Sequence, residues 1–492
     1  MTERRTTRQP RARDGAATVI QRHPDTPTFD ADLVRRYDVS GPRYTSYPTA
    51  NLMSEDVGVA DQAAALARLA ERTAPPLSLY VHVPFCATIC YYCACNKIVT
   101  ANRRHAAGYL ARLLEEMRLV SAHLPADHEV EQLHFGGGTP TYLDNEQFGS
   151  VFAALQRHFR LLPTAGGNSG RRDFSIEIDP RTVDPERVRF LTGLGINRIS
   201  LGIQDFDPAV QAAVNRTQSE TETRAIVETA RATGVESVSV DLIYGLPLQT
   251  PSSFAATLEK IVALAPDRIS LYNYAHLPQR FKTQRQINVV DLPSAESKLA
   301  LLQLAVERLD RAGYCYIGMD HFARPEDSLV RAQRNGTLHR NFQGYTTHGH
   351  CDLIGLGVSA ISSLPGAYLQ NAKDLAAYNA SLDAGRLPVE RGIRLTREDR
   401  LRRDLIGTLM CHFELDVRAF EARWGIDFAA HFASSLARLE AMIRDGLVRR
   451  TPERIEVTAR GRFLVRNVCM AFDAYLEQPL EPARRASFSR AI

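Results

Sequence analysis

From residue 77 onward the chain repeats one pattern, a short apolar strand-like run followed by an amphipathic stretch long enough for a helix. The strand-like runs fall at 77–83, 132–135, 174–178, 198–203, 237–243 and 268–274. Helical stretches separate them, among them 106–123, 145–159, 220–233, 252–265 and 295–312. Strands joined through helices must run parallel, because each helix carries the chain back to the starting edge of the sheet. Six such units predict an α/β fold built on a partial (β/α)6 barrel over 77–375. In such folds the chemistry gathers on loops at the C-terminal ends of the strands. The chain has 492 residues, 44% of them apolar. That is ample for a barrel-sized core and a smaller second domain.

One of those loops is chemically distinctive. Cys86, Cys90 and Cys93 are spaced C-x-x-x-C-x-x-C directly after the first strand, and Cys95 follows. Four of the chain's eight cysteines thus fall within ten residues. A secreted disulfide framework spreads its cysteines through a short chain, so this density points to metal or redox chemistry in a reducing compartment. Three thiolates on one loop suit a four-iron cluster whose fourth iron stays open to a small molecule. The competing reading is a structural zinc knot using all four sulfurs. Zinc sites of that kind take paired C-x-x-C elements from two separate loops, and no second Cys/His cluster follows at that spacing. Cys95 is read as non-ligating, with a Cys93–Cys95 redox pair and a thiol facing the substrate as its open alternatives. Cys315, Cys351, Cys411 and Cys469 are scattered in apolar surroundings and are expected to be buried, inert thiols.

Around the cysteines the chain reads SLYVHVPFCATICYYCACNKIVT (78–100), and about forty residues later HFGGGTPTYL (134–143). SGPRYTSYPTA (40–50) lies ahead of both, with IGMDHFARP (317–325) and HRNFQGYTT (339–347) behind. Together these stretches resemble the oxygen-independent coproporphyrinogen III oxidases (dehydrogenases) of the radical S-adenosylmethionine (SAM) superfamily. The likeness runs from about residue 32 to the C-terminus. Haem chaperones of the same superfamily share the cysteine motif and the barrel. They generally lack the fourth cysteine and the SGPRYTSYPTA arm, and carry a different histidine motif in place of HRNFQGYTT. On each point this chain sides with the oxidases.

The resemblance implies a [4Fe–4S] cluster held by Cys86, Cys90 and Cys93, with SAM chelated on the open iron. One electron then cleaves SAM to methionine and a 5′-deoxyadenosyl radical. The substrate implied is coproporphyrinogen III, a reduced tetrapyrrole with four propionates. Hydrogen abstraction from a propionate β-carbon, loss of carbon dioxide and removal of one electron leave a vinyl group. Two propionates react, so two SAM are used per protoporphyrinogen IX. The alternatives carried are a haem chaperone and a radical SAM enzyme acting on haem itself.

Residue roles follow from the same likeness. Gly136, Gly137 and Gly138, followed by Thr139, form a SAM cradle in which backbone amides approach the ligand without a Cβ in the way. Tyr80, Tyr92, Glu177, Gln204, Arg216 and Asp241 are expected to contact SAM, Arg216 by pairing a carboxylate with its planar fork. Ala275 and Ile361 supply apolar walls, and Gln343 and Ile361 match positions of a second SAM. Tyr80 and His82 should point the same way along the first strand. With Cys95 they make the expected catalytic set. Arg43, in the arm, is the expected propionate clamp.

Residues 1–31 hold six Arg and little apolar periodicity, and are expected to be a disordered extension. An N-terminal arm follows over 32–76. A mainly helical, winged-helix-like domain spans 376–492, with Thr396 as a helix cap and GLVRRTPERIEVTARGRFL as a hairpin. Helix-plus-wing units also occur in DNA binders, but a net charge of +4 is too small to argue for nucleic acid. No apolar run nears the roughly 20 residues of a membrane helix. The expectation is a cytoplasmic monomer without membrane or nucleic-acid partners. It would be fed by an electron donor such as flavodoxin or ferredoxin and would discharge to an unidentified terminal acceptor.

Overall fold

The computed structural model describes residues 27–72, 75–125, 127–164 and 170–476. Most of the extension expected to be disordered, 1–26, lies outside the described residues. Residues 27–31 are built into the fold. Phe29 packs edge-on against Phe463 at 5.6 Å, and Asp30 caps the helix Ala31–Tyr37 while pairing with Arg460 at 2.6 Å.

The six predicted strands are present as β1 Leu77–Val83, β2 Glu129–Gly137, β3 Asp173–Ile178, β4 Arg198–Gln204, β5 Ser237–Tyr244 and β6 Arg268–Asn273. Each pairs in parallel with the next. The helices between them start at caps the sequence supplies. Asp144, Asp184, Ser219, Thr250 and Ser294 each accept a backbone N–H of the first turn. Pro185–Gly193 is a helix the apolar pattern did not reveal, being short and weakly amphipathic. Its signals are the Asp184 cap and Pro185 at the first helical position.

The sheet does not close, and it extends past both ends of the six-strand unit. β7 Cys315–Gly318 and β8 His321–Ala323 add antiparallel strands beyond β6. At the other edge β9 Asp352–Leu356 pairs in parallel with β1. β10 Ile361–Leu364, β11 Ala367–Asn371 and β12 Val389–Arg394 then form an antiparallel meander. The sheet therefore runs on past residue 375, where the C-terminal domain was expected to begin.

A buried carboxyl locks the helix Arg104–Ser121 to this edge. Glu116 accepts from the Gly357 N–H (2.7 Å), Asn371 Nδ2 (2.6 Å) and the Tyr378 hydroxyl (2.6 Å). Its burial pushes the pKa up to about 7.

The helix Arg397–His412 opens on the expected Thr396 cap, reinforced by Asp399 in a capping box. The hairpin Val448–Arg450 and Arg454–Val457 is joined by a third strand, Glu414–Asp416. The arm is threaded between this domain and the barrel. Arg466 donates to the carbonyls of Gly41 and Pro42, Arg340 to that of Tyr44 (3.3 Å), and the Tyr44 hydroxyl bonds to Asp473 (2.9 Å).

Candidate active site

Side chains of a strand alternate, so Tyr80 and His82 emerge on one face of β1. The Tyr80 hydroxyl lies 3.0 Å from His82 Nδ1, and His82 Nε2 lies 3.1 Å from the Asn96 carbonyl. A carbonyl only accepts, so Nε2 carries the proton and Nδ1 accepts from Tyr80. Burial pushes the pKa of this imidazole down, favouring the neutral ring. The Tyr109 hydroxyl, from the neighbouring helix, fixes the His82 carbonyl at 2.6 Å.

The next strands continue the polar row. Tyr80 stacks on His134 with ring centroids 5.8 Å apart. His134 Nδ1 is 2.7 Å from Ser175 Oγ, and its Nε2 is 3.2 Å from Glu177 Oε1. The other oxygen of Glu177 accepts the Gly137 N–H at 3.2 Å. Burial alone would raise the Glu177 pKa, but its bond to His134 and that ring's charge outweigh this and hold it below the ordinary value.

Gly136 and Gly137 are the last two residues of β2, and Gly138 follows in a bend. Each glycine is enforced by close approach. A Cβ on Gly138 would lie 2.7 Å from the Pro84 carbonyl oxygen and 2.8 Å from that of Phe85. One on Gly136 would lie 2.9 Å from Glu177 Oε1. Gly137 has φ +114°, a conformation L side chains rarely adopt.

The cysteine loop sits against this cradle, closed by a short pairing of Phe85–Cys86 with Ile98–Val99. Thr139 Oγ1 lies 3.4 Å from Cys86 Sγ. Cys90 Sγ lies 3.3 Å from both Arg181 Nη2 and Arg216 Nη1. Asp179 pairs with both guanidiniums, at 2.7 and 3.0 Å. Arg216 also donates to the Gly202 carbonyl, at 2.5 Å through Nη2. Its fork is thus engaged with Asp179, Cys90 and the backbone, where the sequence had suggested a ligand carboxylate. Cys95 shares a hydrogen bond with Cys93 that, together with burial and the charges of Cys93 and Glu177, pushes its pKa up, and burial followed by the charges of Glu177 and Cys95 pushes up that of Tyr80. Of the other cysteines, Cys411 and Cys469 are buried as expected, whereas Cys315 and Cys351 are only partly so.

Asp241 on β5 accepts from Ser200 Oγ at 3.2 Å, and burial followed by the charge of Glu177 raises its pKa to about 6. Gln204, at the end of β4, has φ +67°, and its buried Oε1 has no partner. A left-handed non-glycine residue with an unpaired buried oxygen is costly in isolation and common where a ligand is held. A cavity of about 220 Å³ follows, lined by Arg43, Tyr92, Tyr272, Asn273, Ala275 and Gln284 among others. Asn273 Oδ1 is likewise buried without a partner. Arg43 reaches it from the arm and pairs with Asp320 at 2.7 Å. Gln343 and Ile361 do not line this cavity. Gln343 lies in a hairpin turn with its Nε2 buried and unpartnered, and Ile361 packs beside Met53, Tyr368 and Leu395.

Asp179, Arg181, His134 and Asp320 escaped the sequence reading. The first two stand in EIDPRT just past the end of β3, a position at which barrel residues face the site, and that placement was the available signal. The donor set fits the implied groups. Three thiols on one loop beside two guanidiniums suit a thiolate-held cluster. The cradle and the unpaired Gln204 oxygen suit a polar ligand beside it.

Comparison with known proteins agrees. The Radical SAM superfamily model matches residues 80–261 and the HemN C-terminal domain model residues 395–464. A curated protein of Pseudomonas aeruginosa named oxygen-independent coproporphyrinogen III oxidase is 54% identical over 95% of this chain and 100% of its own length. The chain belongs to the oxygen-independent coproporphyrinogen III oxidase family. The family member of Escherichia coli K12 is 49% identical over 94% of this chain and 98% of its own. The solved structure described as coproporphyrinogen III oxidase (HemN) from Escherichia coli, a radical SAM enzyme, superposes with a TM-score of 0.86 at 46% identity. It covers 92% of this chain and 100% of its own. A [4Fe–4S] cluster and SAM follow from that membership.

Proposed function

We propose that this chain performs the family reaction, the oxidative decarboxylation of two propionates of coproporphyrinogen III to vinyls, giving protoporphyrinogen IX. The observation that carries the reading is the convergence of three groups at the C-terminal ends of β1–β6. They are the cysteine loop, the glycine cradle with its unpaired Gln204 oxygen, and a cationic arm residue on a cavity beside them. Cys86, Cys90 and Cys93 hold the cluster, and Gly136–Gly138, Glu177, Gln204 and Asp241 hold SAM. Bound there, the two supply radical hydrogen abstraction, using two SAM per product.

The protein's own residues bind, orient and shield. Glu177 and Asp241 accept hydrogen bonds from ammonium and hydroxyl groups. Arg181 and Arg216 place positive charge 3.3 Å from the Cys90 sulfur. Tyr80 and His82 form a hydrogen-bonded pair whose proton arrangement is set by the Asn96 carbonyl, and Cys95 faces the same space. Arg43 binds a propionate, with Asp320 holding its fork in place until the carboxylate arrives. Arg340 and Arg466 add positive charge to the field around Arg43 and Asp320. Gln343 and Ile361 are kept as candidates for a second SAM. A monomer in a reducing cytoplasm, served by a flavodoxin- or ferredoxin-like donor, completes the proposal.

The arm's role is tested by Arg43→Gln and Arg43→Lys. The KM for coproporphyrinogen III should rise about 10- to 100-fold in the first and less in the second, with SAM affinity unchanged. An unchanged KM in both would remove Arg43 from the substrate site.

A further inference from the structure

A second donor set lies at the opposite end of the strands, and nothing in the radical chemistry uses it. Glu131, near the start of β2, and His350 and Cys351, just before β9, bring a carboxylate oxygen, an imidazole nitrogen and a thiol sulfur within 4.8 Å of one another. β2 and β9 flank β1 on either side, Leu77 pairing with Val130 on one and Asp352 on the other. The three donors therefore bridge two strands that do not touch each other at that point.

The surroundings are built for this. Glu131 is only 4% exposed, yet it carries a carboxylate. Arg171 holds one of its oxygens, Oε1, and the other faces His350 Nε2 at 2.9 Å. That division leaves one oxygen for an ion while a second partner orients the group, the arrangement found behind many metal-bound carboxylates. His348 Nε2 donates to the Arg171 carbonyl at 2.8 Å, so the 348–351 loop and the Arg171 segment are tied together. Its ring also stacks on His350, with centroids 5.8 Å apart. Cys351 is a free, half-buried thiol. His339, His348, His350 and Cys351 all border a cavity of about 1040 Å³ between the arm, the barrel and the helix Arg397–His412. Water can reach the site from there.

We infer that Glu131, His350 and Cys351 form a binding site for a divalent transition-metal ion, with Zn²⁺ the best fit, separate from the cluster. Mixed oxygen, nitrogen and sulfur donors suit Zn²⁺ and disfavour Mg²⁺ or Ca²⁺, which take oxygen alone. Zinc–ligand bonds of about 2.0–2.3 Å put tetrahedral donors roughly 3.5 Å apart, so a small inward shift of the loop completes the set. Binding displaces the thiol proton of Cys351 and moves the His350 N–H to Nδ1, which frees Nε2 and the Glu131 oxygen facing it to ligate the ion. One carboxylate and one thiolate then balance the charge of the ion, and water from the cavity fills the fourth position.

The test uses the full chain with its cluster loaded, so that Cys86, Cys90 and Cys93 are occupied. Zinc and iron are counted per chain after gel filtration, and zinc affinity is measured by competition with a chromophoric chelator. One tight zinc equivalent is expected in the wild type, weakened at least 10-fold in Cys351→Ser and in His350→Ala with iron content unchanged. His350 is exposed, so its variant keeps the fold. Absence of a zinc equivalent in the wild type, or a zinc affinity unaltered in both variants, would overturn the site.

Discussion

At the residue scale the site is a row of polar groups on neighbouring strands, each fixed by the next. Asn96 sets the proton on His82, His82 orients Tyr80, and Tyr80 stacks on the His134 that holds Glu177. Asp241 ends the row with a pKa of about 6, so its proposed contact with SAM predicts a pH-dependent affinity. Above that value the carboxylate accepts hydrogen bonds, and as pH falls through it the group takes a proton and loses acceptor capacity. SAM affinity is therefore expected to weaken as pH drops from 7 to 5. Asp241→Asn should bind SAM about 10- to 100-fold more weakly at pH 7 and abolish the pH trend. Equilibrium binding across that range checks both. The cysteines and glycines of this site were legible because their spacing is local. Asp179 and Arg181 were not, since their meeting with Cys90 depends on how β3 is placed beside the loop. Arg216 was seen, but its engagement with Asp179 and Cys90 was invisible for the same reason.

At the element scale the sequence located all six barrel strands to within a few residues, because continuous apolar runs mark strands buried on both faces. It missed β7, β8, β9 and the meander of β10–β12. These are three to six residues long, too short to leave a periodic trace. The meander is anchored through Glu116, and that anchor makes a stability prediction. The native state raises this carboxyl's pKa from an ordinary 4.5 to about 7. A raised carboxyl pKa means the folded chain holds a proton the unfolded chain releases, so the stabilisation is full below pH 4.5 and is lost as pH rises towards 7. The loss is roughly 3 kcal/mol over that interval. Denaturant titrations of wild type and Glu116→Gln at matched pH should differ in slope between pH 4.5 and 7, with the variant flatter. Parallel curves would show that Glu116 titrates normally in the fold.

At the scale of the whole molecule the arm, the open sheet and the C-terminal domain form one enclosure. Arg466, from the helix Val465–Met470, grips the backbone of Gly41 and Pro42, and the adjoining Arg43 enters the cavity beside the cluster loop. The C-terminal domain thus meets the site through the arm that carries Arg43. What the whole molecule is built to perform is the family reaction. The measurement that tests it most directly is an anaerobic assay of the cluster-loaded protein with SAM, a reductant, coproporphyrinogen III and an electron acceptor, followed by chromatography and mass. Loss of two carboxyl groups from the tetrapyrrole, matched by 5′-deoxyadenosine and with both absent in Cys90→Ser, is the predicted result. SAM cleavage that leaves coproporphyrinogen III intact, or that consumes haem instead, would contradict it.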